Sequence, residues 1–322
     1  MRVITVLFAL SLILGACHQN PHQAGAETFL AGKSISLANT AGWVKDDRYV
    51  ISQPSNVISY NGYTYLFYVS EPVNAPLAGT GYSGKINYAF SRDQGNTWSD
   101  QGLVVGTGLP GAFDALGVCK PSVIKVSEDN FFYLYYVGVA EGYNPADSSS
   151  QNKTSIGLAK IIFSDNGIIR VAIKLNSGKP ILEASAPGSR KFDSFRIDDP
   201  NPINLNGQVW LYYSGIDKLG GDPRTGLAVS SDINASHIRQ NNDRALLDGS
   251  PSLIQKQDVG VIAIFSNTQN TWYASDGIHF NKLKKSFPSA IHFARSNADQ
   301  TQLSWGMAER STGIGFDKWS IH

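Results

Sequence analysis

One pattern is written three times along this chain: an Asp, three residues, a β-branched aliphatic, two residues, then Pro. The copies are Asp47, Ile51 and Pro54; Asp114, Val118 and Pro121; and Asp193, Ile197 and Pro200. Each leads into an aromatic-rich strand, YTYLFYV after the first, FFYLYYV after the second and VWLYY after the third. Asn61-Gly62 and Asn206-Gly207 stand just before two of these strands and are hairpin-turn signals. A unit repeated at constant internal spacing restricts the fold to architectures that stack copies of one supersecondary motif.

Two shorter blocks follow, opening at Pro251-Ser252-Leu253-Ile254 and Pro288-Ser289-Ala290-Ile291. Pro54, Pro121, Pro200, Pro251 and Pro288 therefore mark one position in each block, the first residue of an inner strand, which need not donate to a ladder. Each block offers about four short strands, and no stretch keeps a long helical periodicity. Four-stranded units repeated radially make a propeller. The expectation is an all-β, five-bladed β-propeller with about four antiparallel strands per blade, spanning 34–322. The first three blocks carry insertions after the second strand, at 71–83, 141–153 and 216–224. Insertions confined to one kind of loop build up one face, and that face is the expected binding face.

Ahead of the blocks, Arg2 and the apolar run Val3 to Leu14 have the length of a signal-peptide h-region, too short for a membrane-spanning helix. The run closes in Leu14-Gly15-Ala16-Cys17, which resembles the lipobox of bacterial lipoproteins. The resemblance implies a signal over 1–16, lipidation of Cys17 and a polar tether over 17–33; the alternative is an ordinary secretory signal with an incidental Cys. Two or more acyl chains anchor stably. His18, rather than Asp, follows the Cys, which by resemblance to enterobacterial sorting implies the bacterial cell envelope at the outer membrane. The expected state is a lipid-anchored monomer. With 27 Lys and Arg against 26 Asp and Glu and no basic block, nucleic acid is excluded as a partner class. Cys119, the second of two cysteines, reads as a buried inert thiol.

Ser91 to Trp98, SRDQGNTW, matches S-x-D-x-G-x-T-W, the Asp-box of sialidases and other propellers, and the stretch from Tyr273 to Phe280 is a looser copy. Both read as hairpin devices, in which the Asp bonds the turn backbone and Gly permits positive φ. Their aspartates are not site candidates. The candidates lie where inner strands begin, near the central opening. Asp198-Asp199-Pro200 offers two adjacent carboxylates, and Arg196 lies on the same side of an extended strand as Asp198. An Arg beside a carboxylate lowers its pKa and also holds a sugar hydroxyl or carboxylate. Asp47, Asp114 and Asp193 are either displaced axial acids or caps that bond backbone N–H groups. Glu71 and Glu141 occupy corresponding spots at the start of two insertions and are general-acid candidates, with a solvated loop carboxylate as the plain alternative.

The Pro-marked blades, the Asp-Pro start, the aromatic second strand and the Ser-x-Asp-Gly hairpin together resemble the five-bladed glycosidases of families 32, 43 and 68 and relatives in 117 and 130. The resemblance covers nearly all of the chain after the tether and implies an oligo- or polysaccharide partner. It implies three axial acids: a nucleophile or base, a positioning Asp and a general acid, the paired-carboxylate requirement of glycosyl transfer. Those families place an acid directly before the marking Pro, and here only Asp199 does so, as the positioning Asp. Gln53, Lys120, Ser250 and Phe287 fill the other four positions. The candidate catalytic set is thus Asp199, Asp198, Asp47 and Glu141, with Arg196, Asp114, Asp193 and His292 as substrate-binding candidates. His292 resembles an axial His that helps hold a central ion in family 43; such a structural ion at the axis is the sole cofactor left open, and no metal-ligand cluster is evident. Phe195-Arg196-Ile197 is also similar to the Arg-Ile-Pro start of sialidases, but Asp198 replaces the Pro and no three-Arg cluster is found. The rival to a glycosidase-like hydrolase is a non-catalytic propeller used for glycan binding or assembly.

Overall fold

The computed structural model describes residues 35–38, 49–72, 81–127, 129–251, 253–257, 260–265, 270–284, 292–295, 303–309 and 316–321. Asp47 and Cys17 lie outside them. Strands dominate, and the helical pieces among the described residues are three single 3-10 turns, Ser148–Ser150, Asn176–Gly178 and Asn241–Asp243. None of the described helices is long and apolar enough to cross a membrane.

The strands form four sheets where the sequence predicts five blades. Gly117–Ile124, Phe131–Val139, Thr154–Phe163 and Ile169–Lys174 make one antiparallel sheet. Arg196–Leu205, Gln208–Ile216, Arg224–Ser230 and Ile238–Arg239 make the next, and Leu253–Gln257, Gly260–Ile264, Thr271–Ala274 and Asn281–Lys282 a third. The first and last predicted blocks do not stay separate. His292–Arg295, Leu303–Glu309, Phe316–Ile321 and Ile35–Ala38 form one antiparallel run, and Val57–Tyr60, Tyr63–Pro72, Lys85–Ser91 and Ser99–Val105 another. A parallel pairing, Ala294 with Val57 and Arg295 with Ile58, fuses the two four-stranded runs, and Tyr49–Ser52, paired with Tyr63–Pro72, completes one nine-stranded sheet. The count of five blades is therefore corrected to four. The physical reason is that two inner-strand edges meet, and paired edges satisfy backbone groups that would otherwise stay open.

The aromatic strands sit mid-sheet with both faces covered, so their side chains divide by parity between two neighbours. Phe132, Leu134 and Tyr136 join Tyr65 and Phe67 of the nine-stranded sheet in one core. Tyr133 and Tyr135, of opposite parity, join Ile197, Leu211 and Tyr213 of the next sheet in another. Tyr212 then faces onward to Val261 and Ala263. This two-sided burial is why the strands read as unbroken apolar runs rather than alternating ones. Each fully buried large side chain contributes roughly 1.5–3 kcal/mol.

Asp114 and Asp193 brace the sheets. Asp114 accepts from Tyr136 Oη at 3.0 Å and pairs with Lys174 at 2.6 Å. Asp193 accepts from Tyr213 Oη at 2.9 Å and pairs with Arg239 at 2.8 Å. Phe113 stacks over Tyr136 and Phe192 over Tyr213 in the same way. A Cβ at Gly157 would stand 2.5 Å from Tyr136, and one at Gly226 would stand 2.3 Å from Phe192, so both strands need glycine there. Asp93 bonds the Thr97 N–H at 2.8 Å and the Thr97 hydroxyl at 2.7 Å, around Gly95 at φ +81°, and Trp98 Nε1 closes the turn on the Gly95 carbonyl. Asp276 bonds the N–H groups of Ile278 and His279 in its own turn.

Candidate functional site

The residues just before the first three marking prolines share an unusual conformation. Gln53, Lys120 and Asp199 have φ of 49°, 51° and 47°, in the left-handed region. This runs against the β preference of a residue that precedes Pro, and each such position costs on the order of 1–3 kcal/mol. Register breaks between Cys119 and Ser122 and between Asp198 and Asn201 show that the inner strand bulges there. A bulge re-aims side chains. In the third block it turns both Asp198 and Asp199, which would alternate in a regular strand, onto one cavity.

That cavity, of about 170 Å³, is lined by Tyr82, Lys120, Arg196, Asp198, Asp199 and Ser250, together with Gly221 and Pro223. Beneath it Cys119 is buried among Val69, Val137, Val139 and Tyr143, and burial pushes its thiol pKa up. The insertions supply the walls. Tyr82 comes from the first, and Gly221 and Pro223 from the third. Tyr143, from the second, accepts from Arg196 Nη1 at 2.9 Å. The rings of Tyr82 and Tyr143 lie 4.9 Å apart, and the Arg196 guanidinium sits 5.4 Å over Tyr82.

The two carboxylates have opposite surroundings. Asp198 is buried, with Arg196 Nε at 2.8 Å from Oδ2 and the Tyr82 hydroxyl donating to the same oxygen at 3.1 Å. Its Oδ1 makes no hydrogen bond. Burial, reinforced by the neighbouring Asp199 charge, outweighs Arg196, Lys120 and Tyr82 and raises its carboxyl to about 6. Asp199 receives Lys120 Nζ at 3.0 Å on Oδ1 and the Ser250 hydroxyl at 3.0 Å on Oδ2. Burial pulls its pKa up, but Lys120, Ser250 and Arg196 outweigh it and hold the group below its ordinary value.

The pre-proline side chains are linked around the axis. Gln53 Nε2 donates to the Gly81 carbonyl at 2.8 Å, and Gln53 Oε1 accepts from the Lys120 backbone N–H at 3.0 Å. Lys120 reaches Asp199, and Ser250 reaches the same carboxylate from the block beyond.

The structure thus brings together Asp198, Asp199 and Arg196 of the sequence candidates. Asp114 and Asp193 do not line the cavity; they are the buried braces described above. Glu141 is exposed in the turn after Phe131–Val139 and does not line the cavity. Glu71 is buried, and its carboxylate accepts the N–H groups of Gly81 and Ser83 at 2.9 Å each, which fixes the loop that presents Tyr82. His292 lies in the strand His292–Arg295, opposite Met307. Among the described residues no group of three or more His, Cys, Asp or Glu is placed to hold a metal ion. Lys120, Tyr82, Tyr143, Ser250 and Gln53 are site residues that sequence reasoning misses. The position before each Pro carries the signal for three of them, but a reading that looks for acids there passes over an amide, a cation and a hydroxyl.

No protein-family profile matches the chain, and no curated protein sequence matches it. Solved structures do. Zg3597, a family 117 glycoside hydrolase of the marine bacterium Zobellia galactanivorans, is 18% identical with a TM-score of 0.69, covering 90% of each chain. A second glycoside hydrolase is 13% identical at TM-score 0.64, covering 94% of this chain and 95% of that one. Fructan 1-exohydrolase IIa from Cichorium intybus is 14% identical at TM-score 0.54, over 87% of this chain and 57% of its own. At these identities the likeness is one of fold: the chain is a β-propeller of the architecture that these glycoside hydrolases share.

Proposed function

We propose that the chain is a carbohydrate-active, hydrolase-like propeller protein that takes a sugar unit into the axial cavity. One observation carries this reading: Asp198 and Asp199 line the same cavity with their ionisation driven apart, one toward the protonated acid and one held as the anion. Pairs of carboxylates in such unlike environments are how acid and base roles are divided. Asp198 is the proton donor, Asp199 accepts a sugar hydroxyl, and Arg196 orients the ring from the wall shared with Tyr82 and Tyr143. The fold shared with glycoside hydrolases supports the substrate class. Asp47, Glu141, Asp114, Asp193 and His292 take no part in this reading. Attachment to the envelope through Cys17, an outer-membrane location and a monomeric state belong to the same proposal.

A second reading, sugar binding without catalysis, is favoured by one fact: both acids come from a single strand, while Gln53 and Lys120 hold the matching places in the two preceding blocks. A panel of polysaccharides and aryl glycosides, offered to wild type, Asp198→Asn and Asp199→Asn, separates the two. The hydrolase reading expects sugar release that declines as pH rises through about 6, where Asp198 loses its proton. It expects Asp198→Asn to lower kcat by roughly 10²–10⁴. Glycan binding without release by the wild type would leave the binding reading in its place.

A further inference from the structure

We infer that Lys120 is a positioning residue for Asp199: its ammonium, reaching over from the neighbouring sheet, holds that carboxylate in place and aimed into the cavity. The assignment of a sugar site to this cavity rests on the reading above; the role of Lys120 rests on its placement against Asp199 and does not depend on that reading. Lys120 stands where the pattern before each marking Pro is broken most sharply, a cation in place of an acid. Its backbone is held in the left-handed region and tied by its own N–H to Gln53 Oε1 at 3.0 Å. Gln53 is itself fastened to the Gly81 carbonyl. The side chain therefore leaves a pinned backbone, and its Nζ lies 3.0 Å from Asp199 Oδ1.

The charged and titratable groups around Asp199 are few. Arg196 and Asp198 lie on its own strand, Lys120 and Cys119 on the first strand of the preceding sheet, and the Ser250 hydroxyl comes from the next block. Arg196 is already engaged with Asp198 and Tyr143. Without Lys120, two adjacent carboxyls would share the cavity with one committed cation, and like charges that close do not both ionise. Gln53 acts at one remove, since it touches neither acid and sets only where Lys120 begins.

The test is a pH titration of the Asp carboxyl ¹³C resonances in the full-length chain, with Asp198→Asn and Asp199→Asn spectra giving the assignments. In wild type Asp199 stays ionised through mildly acidic pH. Lys120→Met is expected to raise its proton affinity by about tenfold or more, one unit on the pH axis. Lys120→Arg should restore the wild-type curve, and Gln53→Leu should fall between. A Lys120→Met protein with native circular dichroism and an unmoved Asp199 titration would overturn the inference. So would a Lys120→Arg curve displaced as far as that of Met. If Lys120→Met does not fold, Lys120→Arg and Gln53→Leu decide it: an unmoved Asp199 in Gln53→Leu overturns the role given to the pinned backbone. None of these readouts needs activity, so a chain that neither cleaves nor binds sugar would remove the proposed function and leave this result standing.

Discussion

Asp198 and Asp199 are joined by one peptide bond, yet their pKa values move in opposite directions, and this has a consequence for stability. For Asp198 the folded-state value, about 6, lies above the ordinary value of 3.8. Its contribution to stability is then complete below the ordinary value and is lost as pH rises through about 6. For Asp199 the folded value is lowered, so its contribution is present above the ordinary value and is lost on acidification. Urea unfolding as a function of pH should show both limbs. Asp198→Asn is expected to remove the decline that runs from the ordinary value of 3.8 up to about 6, and Asp199→Asn to flatten the acid limb while lowering stability at neutral pH. Part of this site is legible in the sequence alone. Asp198, Asp199 and Arg196 stand together along the chain, and their chemistry announces itself. Lys120, Tyr82, Tyr143 and Ser250 come from other blocks, and a local bulge or an insertion aims them. Linear spacing does not encode such convergence.

At the scale of the element, buried Asp–Tyr–cation braces recur in two neighbouring sheets. Their symmetry is half visible in the sequence. The aspartates recur at fixed spacing from their prolines, but Lys174 stands 60 residues from Asp114 and Arg239 stands 46 from Asp193. The insertions and turns between them hide the correspondence. Asp193 is fully buried, so Asp193→Ala strands a half-buried Arg239 and the Tyr213 hydroxyl together. Losing one partner of a buried pair costs about 3–5 kcal/mol, and thermal unfolding should show a large drop. Gly157→Ala tests the packing around the sister brace. Its methyl would stand 2.5 Å from the Tyr136 ring and 2.6 Å from Phe113, and the expected destabilisation by urea titration is roughly 1–3 kcal/mol.

For the whole molecule, the strand positions follow from the repeat and the aromatic runs, whereas the number of sheets does not. Whether two adjacent blocks remain separate or share a ladder depends on how closely their inner strands approach, as Ala294 and Val57 do here. No periodicity reports that distance. The same sheet contains Ile35–Ala38 beside Phe316–Ile321, so strands from near the two ends of the described chain are hydrogen-bonded neighbours. Removing residues up to Ala38 should lower the melting temperature and expose the Phe316–Ile321 edge, read as increased dye binding and self-association.

This arrangement also bears on how the protein is made. Synthesis delivers Ile35–Ala38 ahead of the other described strands and its ladder partner Phe316–Ile321 after them. Until Phe316–Ile321 has been made, Ile35–Ala38 lacks its ladder partner. A pairing between strands so far apart in sequence carries a loop-closure cost that local contacts do not, so the ladder between Ile35–Ala38 and Phe316–Ile321 is expected to form late in folding.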